Sequence, residues 1–397
     1  AGDALTDADY NVAVGVYALS GDTKGSKSVA IGRSALQVQN FTTATDAFNI
    51  AIGFQAGDSI TTGVQNTIVG SQAGDALVDA DYNVAIGKSA LTTDTYGSRS
   101  VAIGQESLAT QNFTTATDAY NVGVGFYAGK SVTTGTLNTL IGSSAGAAIT
   151  TGVQNTIVGS QAGDALSDAD FNIAIGTDAL TADTKGSRSI AIGRRTLYAQ
   201  NFTTSTDAYN TAVGFEAGND ITTGINNTLV GALSGDALID ADYNVAVGYG
   251  SLSADTYGSR STALGYSALN AQNFTTASTV YNVAVGYNAG GNISTGAENT
   301  IIGGQAGDAL TTGASNVAVG YSALSTEDAH GKNTAIGYKV LEAQNAGADG
   351  YNVGIGYEAG NDITTGIQNT LIGGQAGDAL TDADYNVAIG ISALGAD

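Results

Sequence analysis

Aspartates at alternate or near-alternate positions are the side chains of this sequence best placed for chemistry. Asp3, Asp7 and Asp9 recur as Asp75, Asp79 and Asp81, as Asp164, Asp168 and Asp170, as Asp236, Asp240 and Asp242, and as Asp378, Asp382 and Asp384. Grouped carboxylates offer the hard oxygens that Ca²⁺ prefers. The sets match neither the EF-hand loop nor the glycine-rich Ca²⁺ nonapeptide. Solvated turn residues are therefore the leading expectation and Ca²⁺ the weaker one. Carboxylate pairs also serve glycosidases, but those enzymes need a cleft, and uniform coils leave none. A single histidine, His330, stands in an irregular turn with no repeated partner set. With no Cys in the chain, thiolate catalysis, disulfides and cysteine metal sites are excluded. A non-enzymatic protein without a cofactor is expected.

The elements that position these residues follow a short clock. A pentapeptide of the Asn-x-Ala-x-Gly type recurs 22 times, from Asn11–Gly15 to Asn386–Gly390, mostly 17 residues apart. A fixed short period means stacked copies of one unit rather than a globular domain with a pocket. Residues such as Ile50-Ala51-Ile52 alternate as a strand does. Gly53 supplies a bend and Thr61-Thr62-Gly63 a second turn, so each coil is expected to hold two short strands. The fold class expected is all-β, a parallel β-solenoid of about 22 coils occupying 1–397 as one continuous domain.

A second clock runs above the first. Three coils of 17 residues and one of 21 form a unit of 72, as in Asn49–Gln65, Asn66–Tyr82, Asn83–Arg99 and Ser100–Tyr120. The residue four past the motif Gly follows in order: Gly57, Gly74, Leu91, Leu108. An extra coil lies around Asn138–Gln154, and Asn316–Tyr351 is a variant. Residues 376–397 nearly repeat residues 1–22, which leads to the expectation that the chain is a segment of a longer fibre, associating end to end.

Net charge is −23. That excludes a nucleic-acid partner, whose phosphates need a basic face. No apolar run of about 18 residues occurs, so membrane insertion by this segment is not expected. Asn opens 18 of the motifs and Ser the other four. Asn11, Asn49, Asn66, Asn83 and Asn121, with Gly15, Gly53, Gly70 and Gly87, are expected to form a structural ladder of stacked amides and bends. The 21-residue coils carry insertions at Phe41, Phe113, Phe202 and Phe274. As protruding loops these are places for contact with a surface glycan or protein receptor, while packing of the Phe against the next coil or chain is the leading expectation. Asn-Phe-Thr in the same loops also matches a glycosylation sequon. Aromatic residues precede many motif Asn, among them Tyr10, Phe48, Tyr82 and Tyr120, and are read as packing between coils or chains. Lys27, Arg99, Arg188 and Arg260 are read as charges that set register between chains. Val and Ile at motif positions 2 and 4 are expected to fill the coil and Ala at position 3 to line a seam between chains, with the reverse assignment open.

Ser28-Val29-Ala30-Ile31-Gly32-Arg33-Ser34-Ala35 and Asn333-Thr334-Ala335-Ile336-Gly337 closely resemble the head repeats of trimeric autotransporter adhesins (the YadA-like, haemagglutinin type). Similar arrays occur in bacteriophage tail fibres. The resemblance spans the chain. It implies a left-handed β-roll, a side-by-side homotrimer and an extracellular or cell-surface adhesive fibre, or, in the second case, a virion shaft. The chain departs from the family in its longer coils, its four-coil superperiod and the absence of a stalk or anchor barrel.

Overall fold

The computed structural model describes residues 1–395. Its described residues contain strands and turns and no helix, arranged as a parallel β-solenoid with one coil per motif. The chain divides into two units. Unit 1 comprises 1–195 and 201–207, and unit 2 comprises 196–200 and 208–397. In unit 1 the three-residue strands run from Val12–Val14 to Ile190–Ile192, and in unit 2 from Thr211–Val213 to Val387–Ile389. Neighbouring strands pair in parallel and in register, as Val84, Ala85 and Ile86 do with Val101, Ala102 and Ile103.

Each coil holds one such strand, not the expected two. A second strand, of two residues, forms only beside the insertions, for instance Gly97–Ser98 against Thr117–Asp118. Turns make up the rest of the coil, and backbone bonds still run from coil to coil through them. Gln55 N donates to Arg33 O at 2.9 Å, Gly57 N to Ala73 O at 3.0 Å and Thr61 N to Val78 O at 2.9 Å. The turns rest on left-handed backbone that recurs at fixed positions. In the coil of Asn49 these are Gln55, Gly57 and Gln65, with φ of 55°, 56° and 57°. Non-glycine residues pay a steric cost there, offset by ladder bonds on both sides. At the motif glycine the demand is absolute. Gly53 has φ 143°, and a Cβ on it would run into the carbonyl of Gly70 in the next coil.

The strand side chains point opposite to the leading expectation. Motif position 3 faces inward: Ala51, Ile68, Ala85 and Ala102 are fully buried. Positions 2 and 4 face outward, and Ile50 and Ile52 are each 38% exposed. The interior is filled by this one column, Ala in most coils and a larger aliphatic such as Ile68 in others, together with fillers that come from the turns.

Those fillers explain the longer clock. Counting the motif Asn as residue 1, the interior is filled from residue 9 or from residue 12. Where residue 9 is Gly, residue 12 is aliphatic: Gly57 with Ile60 and Gly74 with Leu77, both fillers fully buried. A Cβ on Gly57 would press on the Cδ1 atoms of Ile60 and Ile68, 3.1 and 3.0 Å away. Where residue 9 is Leu, that Leu fills the space, and residue 12 is polar yet fully buried: Leu91 with Asp94 and Leu108 with Gln111.

Candidate functional site

The buried polar pairs are the first constellation of chemical groups. Asp94 Oδ1 accepts the N–H of Gly97 and of Phe113, each at 3.0 Å, and its Oδ2 accepts Gln111 Nε2 at 2.5 Å. Gln111 also donates to Ser100 Oγ at 3.0 Å and accepts from Asn121 Nδ2 at 2.9 Å. The same set forms at Asp22, Gln39, Ser28 and Asn49. In unit 2 it forms at Asp255, Gln272, Ser261 and Asn282. Every group is spoken for within the chain, so these buried carboxylates are structural. They tie the insertion down and carry the polar ladder past the short Ser.

Elsewhere the ladder is the expected one. Asn49 Oδ1 accepts Asn66 N at 2.9 Å, and Asn66 Oδ1 accepts Asn83 N at 2.9 Å. Asn49 Nδ2 donates to Gly63 O and Asn121 Nδ2 to Gly135 O, both at 2.7 Å. Asn11 Oδ1 accepts Ser28 N at 2.8 Å. Gly15, Gly53, Gly70 and Gly87 form the bend column, with φ between 129° and 143°.

The insertions place their Phe inward, as the packing reading expects. Phe41, Phe113 and Phe202 are each 6% exposed and Phe274 is half-buried. What protrudes is the next segment, Thr42-Thr43-Ala44 and its counterparts Thr114-Thr115-Ala116, Thr203-Thr204-Ser205 and Thr275-Thr276-Ala277. The alternation of polar and aromatic residues in the sequence concealed this, because the anchoring Asp lies a whole coil earlier.

The alternating aspartates are not gathered into one oxygen cage. Asp3, Asp7 and Asp9 are exposed. Asp75 accepts Thr92 Oγ1 at 2.6 Å, Asp79 accepts Thr62 Oγ1 at 2.7 Å, and Asp81 accepts the Val64 N–H at 2.8 Å. Burial raises the pKa of Asp75, Asp164 and Asp308. At Asp236, burial first, with Asp220 and Glu216 nearby, pushes the carboxyl to about 6.

Three of the four basic residues read as register charges form ion pairs within the chain. Lys27 bridges Asp46 at 2.6 Å, Arg99 bridges Asp118 at 2.8 Å, and Arg188 bridges Asp207. Arg99 also lies 4.9 and 5.8 Å from the ring centres of Tyr82 and Tyr120, held between them. These exposed pairs add little stability.

Among the described residues, one set of His and carboxylate ligand atoms converges. The atoms of Glu327, Asp328 and His330 lie within 4.8 Å of one another. Sequence reading left His330 without partners because the turn occurs once and its period gives no signal.

No family model matches the chain, and no curated protein or solved structure matches it.

Proposed function

We propose that this chain is a length of a non-enzymatic structural fibre that associates with copies of itself through the outer face of its strands. The observation that carries this reading is the chemistry of that face. In unit 1 every outward residue at motif positions 2 and 4, from Val12 to Ile192, is Val, Ile or Thr. Aromatic residues flank it on both sides, such as Tyr82, 44% exposed, and Phe126, 46% exposed. In a chain of net charge −23, no Asp or Glu of unit 1 stands in those two columns, directly before a motif Asn or directly after a motif Gly. In unit 2 Glu298 alone does.

Two copies meeting by these faces bury apolar surface without opposing carboxylates, which they would do on most other sides. Eleven strands about 4.8 Å apart and about 10 Å wide present roughly 500 Å² in plane. The aromatic margins bring one unit near the roughly 800 Å² per partner of a stable interface. The family resemblance favours three copies and a place outside the cell or on a virion. The Thr-rich insertions are then the segments presented for adhesion. Sedimentation velocity of the full chain tests the reading. Oligomers of the native chain that become monomers in Ile86→Lys/Ile103→Lys, with unchanged β signal, support it. A monomeric native chain, or oligomers untouched by both substitutions, overturns it.

A further inference from the structure

The variant coil pair, Asn316–Tyr351, keeps the plan of the buried polar pairs but changes its chemistry. Glu327 stands at residue 12, where Asp22, Asp94 and Asp255 stand elsewhere, and Gln344 stands at the position of Gln39, Gln111 and Gln272. The longer carboxylate still caps the insertion. Its Oε1 accepts His330 N at 3.3 Å and its Oε2 accepts Ala346 N at 3.4 Å. Gln344 no longer donates to it in the way Gln111 donates to Asp94. It donates instead to Asn333 Oδ1 at 3.2 Å. The turn itself is rebuilt. Asp94-Thr95-Tyr96-Gly97-Ser98 becomes Glu327-Asp328-Ala329-His330-Gly331, equal in length, with the only histidine of the chain at the position of Gly97.

This rebuilding leaves buried groups unsatisfied. His330 Nδ1, Asn333 Nδ2 and Gln344 Oε1 are buried and have no hydrogen-bond partner. Asn333 is 1% exposed and Gln344 fully buried. None of the side chains in the Asp22, Asp94 and Asp255 sets is left in that state. A buried polar atom without a partner is costly and calls for an explanation. His330 Nδ1 faces Glu327 Oε1 at 3.6 Å, and Asp328 supplies a second carboxylate from the exposed side.

We infer that Glu327, Asp328 and His330 bind one divalent first-row transition metal ion, with zinc as the working probe. An imidazole nitrogen with two carboxylates is a ligand set for zinc and its neighbours rather than for Ca²⁺, which takes oxygen alone. Nδ1 is the ligand atom that needs a partner, and Nε2 carries the proton. The carboxylates must approach by about 1 Å to meet zinc at the usual 2.0–2.2 Å. Asp328, being exposed, has freedom to do so. Three ligands from four consecutive residues form a local chelate, so the site is complete within one turn. Bound there, the ion pins the coil where the Asp–Gln bond of the regular pairs is replaced.

The test uses the full chain and Zn²⁺ in equilibrium dialysis, paired with ¹⁵N NMR of the single imidazole. The native chain is expected to retain one equivalent of Zn²⁺ with saturation, and Nδ1 to shift while Nε2 stays protonated. His330→Ala and the exposed change Asp328→Asn are each expected to weaken retention, His330→Ala to the level of non-specific binding. Equal retention by the native chain and His330→Ala overturns the inference, as does an imidazole signal unmoved by Zn²⁺. The NMR arm needs no variant, so a folding defect in either substitution leaves the proposal open to refutation. The result is independent of whether copies associate through the strand face.

Discussion

Coils Asn49–Tyr82 and coils Asn83–Tyr120 share an outline and differ in what fills them. The first pair closes on Ile60, Ile68 and Leu77, and the second on Leu91 and Leu108 with the Asp94–Gln111 pair beneath the insertion. Outside, the two are alike. Ile50, Ile52, Thr67 and Val69 continue without a break into Val84, Ile86, Val101 and Ile103. The interior tolerates an exchange of aliphatic for polar filling, provided each polar group finds its partner. The outer face stays β-branched through that exchange, although solvated strand surfaces commonly alternate to polar residues. Closing the coil does not require that uniformity, and the proposed self-association rests on it.

The sharpest way to break the comparison is to put the same charge on both sides of one strand. Ala102→Glu places an unpaired carboxylate in an interior with no room, and a loss of more than about 4 kcal/mol, seen as lost local β signal, is expected. Ile103→Glu, one residue on and facing out, is expected to keep the fold and the β signal. The opposite outcome would reverse the inside and outside assigned here. Next in size is Asp94→Ala. It leaves the Gly97 and Phe113 N–H groups and one N–H of the Gln111 amide without an acceptor, at about 1–3 kcal/mol for each buried group. Chemical denaturation measures this, and a loss below about 1 kcal/mol would mean that the polar filling is dispensable. Its aliphatic counterpart, Leu77→Ala, is expected to cost about 2–5 kcal/mol.

A smaller effect distinguishes a capped carboxylate from an uncapped one. Asp236 Oδ1 has no partner, and burial holds the group near 6. Its folded pKa lies above its unfolded value, so the folded state binds the proton more tightly. The contribution it makes when protonated is therefore lost as pH rises through about 6. Asp236→Asn is expected to raise Tm at pH 7.5 and to give no gain at pH 4. A gain of the same size at both values would contradict the assignment. Smallest of all, Arg99→Gln removes an exposed bridge and two ring contacts. Its Tm is expected to stay within the scatter of the native chain.

How much of this was legible beforehand differs by feature. The coil count, the parallel stacking and the Asn ladder follow from period alone, because a repeated polar residue in every coil has only its own neighbours to bond. The order Gly57, Gly74, Leu91, Leu108 was visible, but its meaning was not. The compensating residues Ile60, Leu77, Asp94 and Gln111 lie three positions further on, and Asp94 looks in sequence like any other turn aspartate. The orientation of the strands was ambiguous for a related reason. A two-residue period marks two faces without telling which one turns inward, and the column that does turn inward holds Ala in most coils and Ile or Leu in others, such as Ile68. Packing of Phe41 and Phe113 was the leading expectation and the rings are buried, but what holds them was not visible. The carboxylate that draws each inward belongs to the preceding coil.

The most direct test of the central claim exploits the absence of Cys from the chain. A single thiol is introduced as Val84→Cys on the outer strand face, and separately as Thr43→Cys at an insertion tip, and the rate of thiol labelling is followed as protein concentration rises. The account predicts that labelling at position 84 slows with concentration while labelling at 43 does not. Equal, concentration-independent rates at the two positions would contradict it.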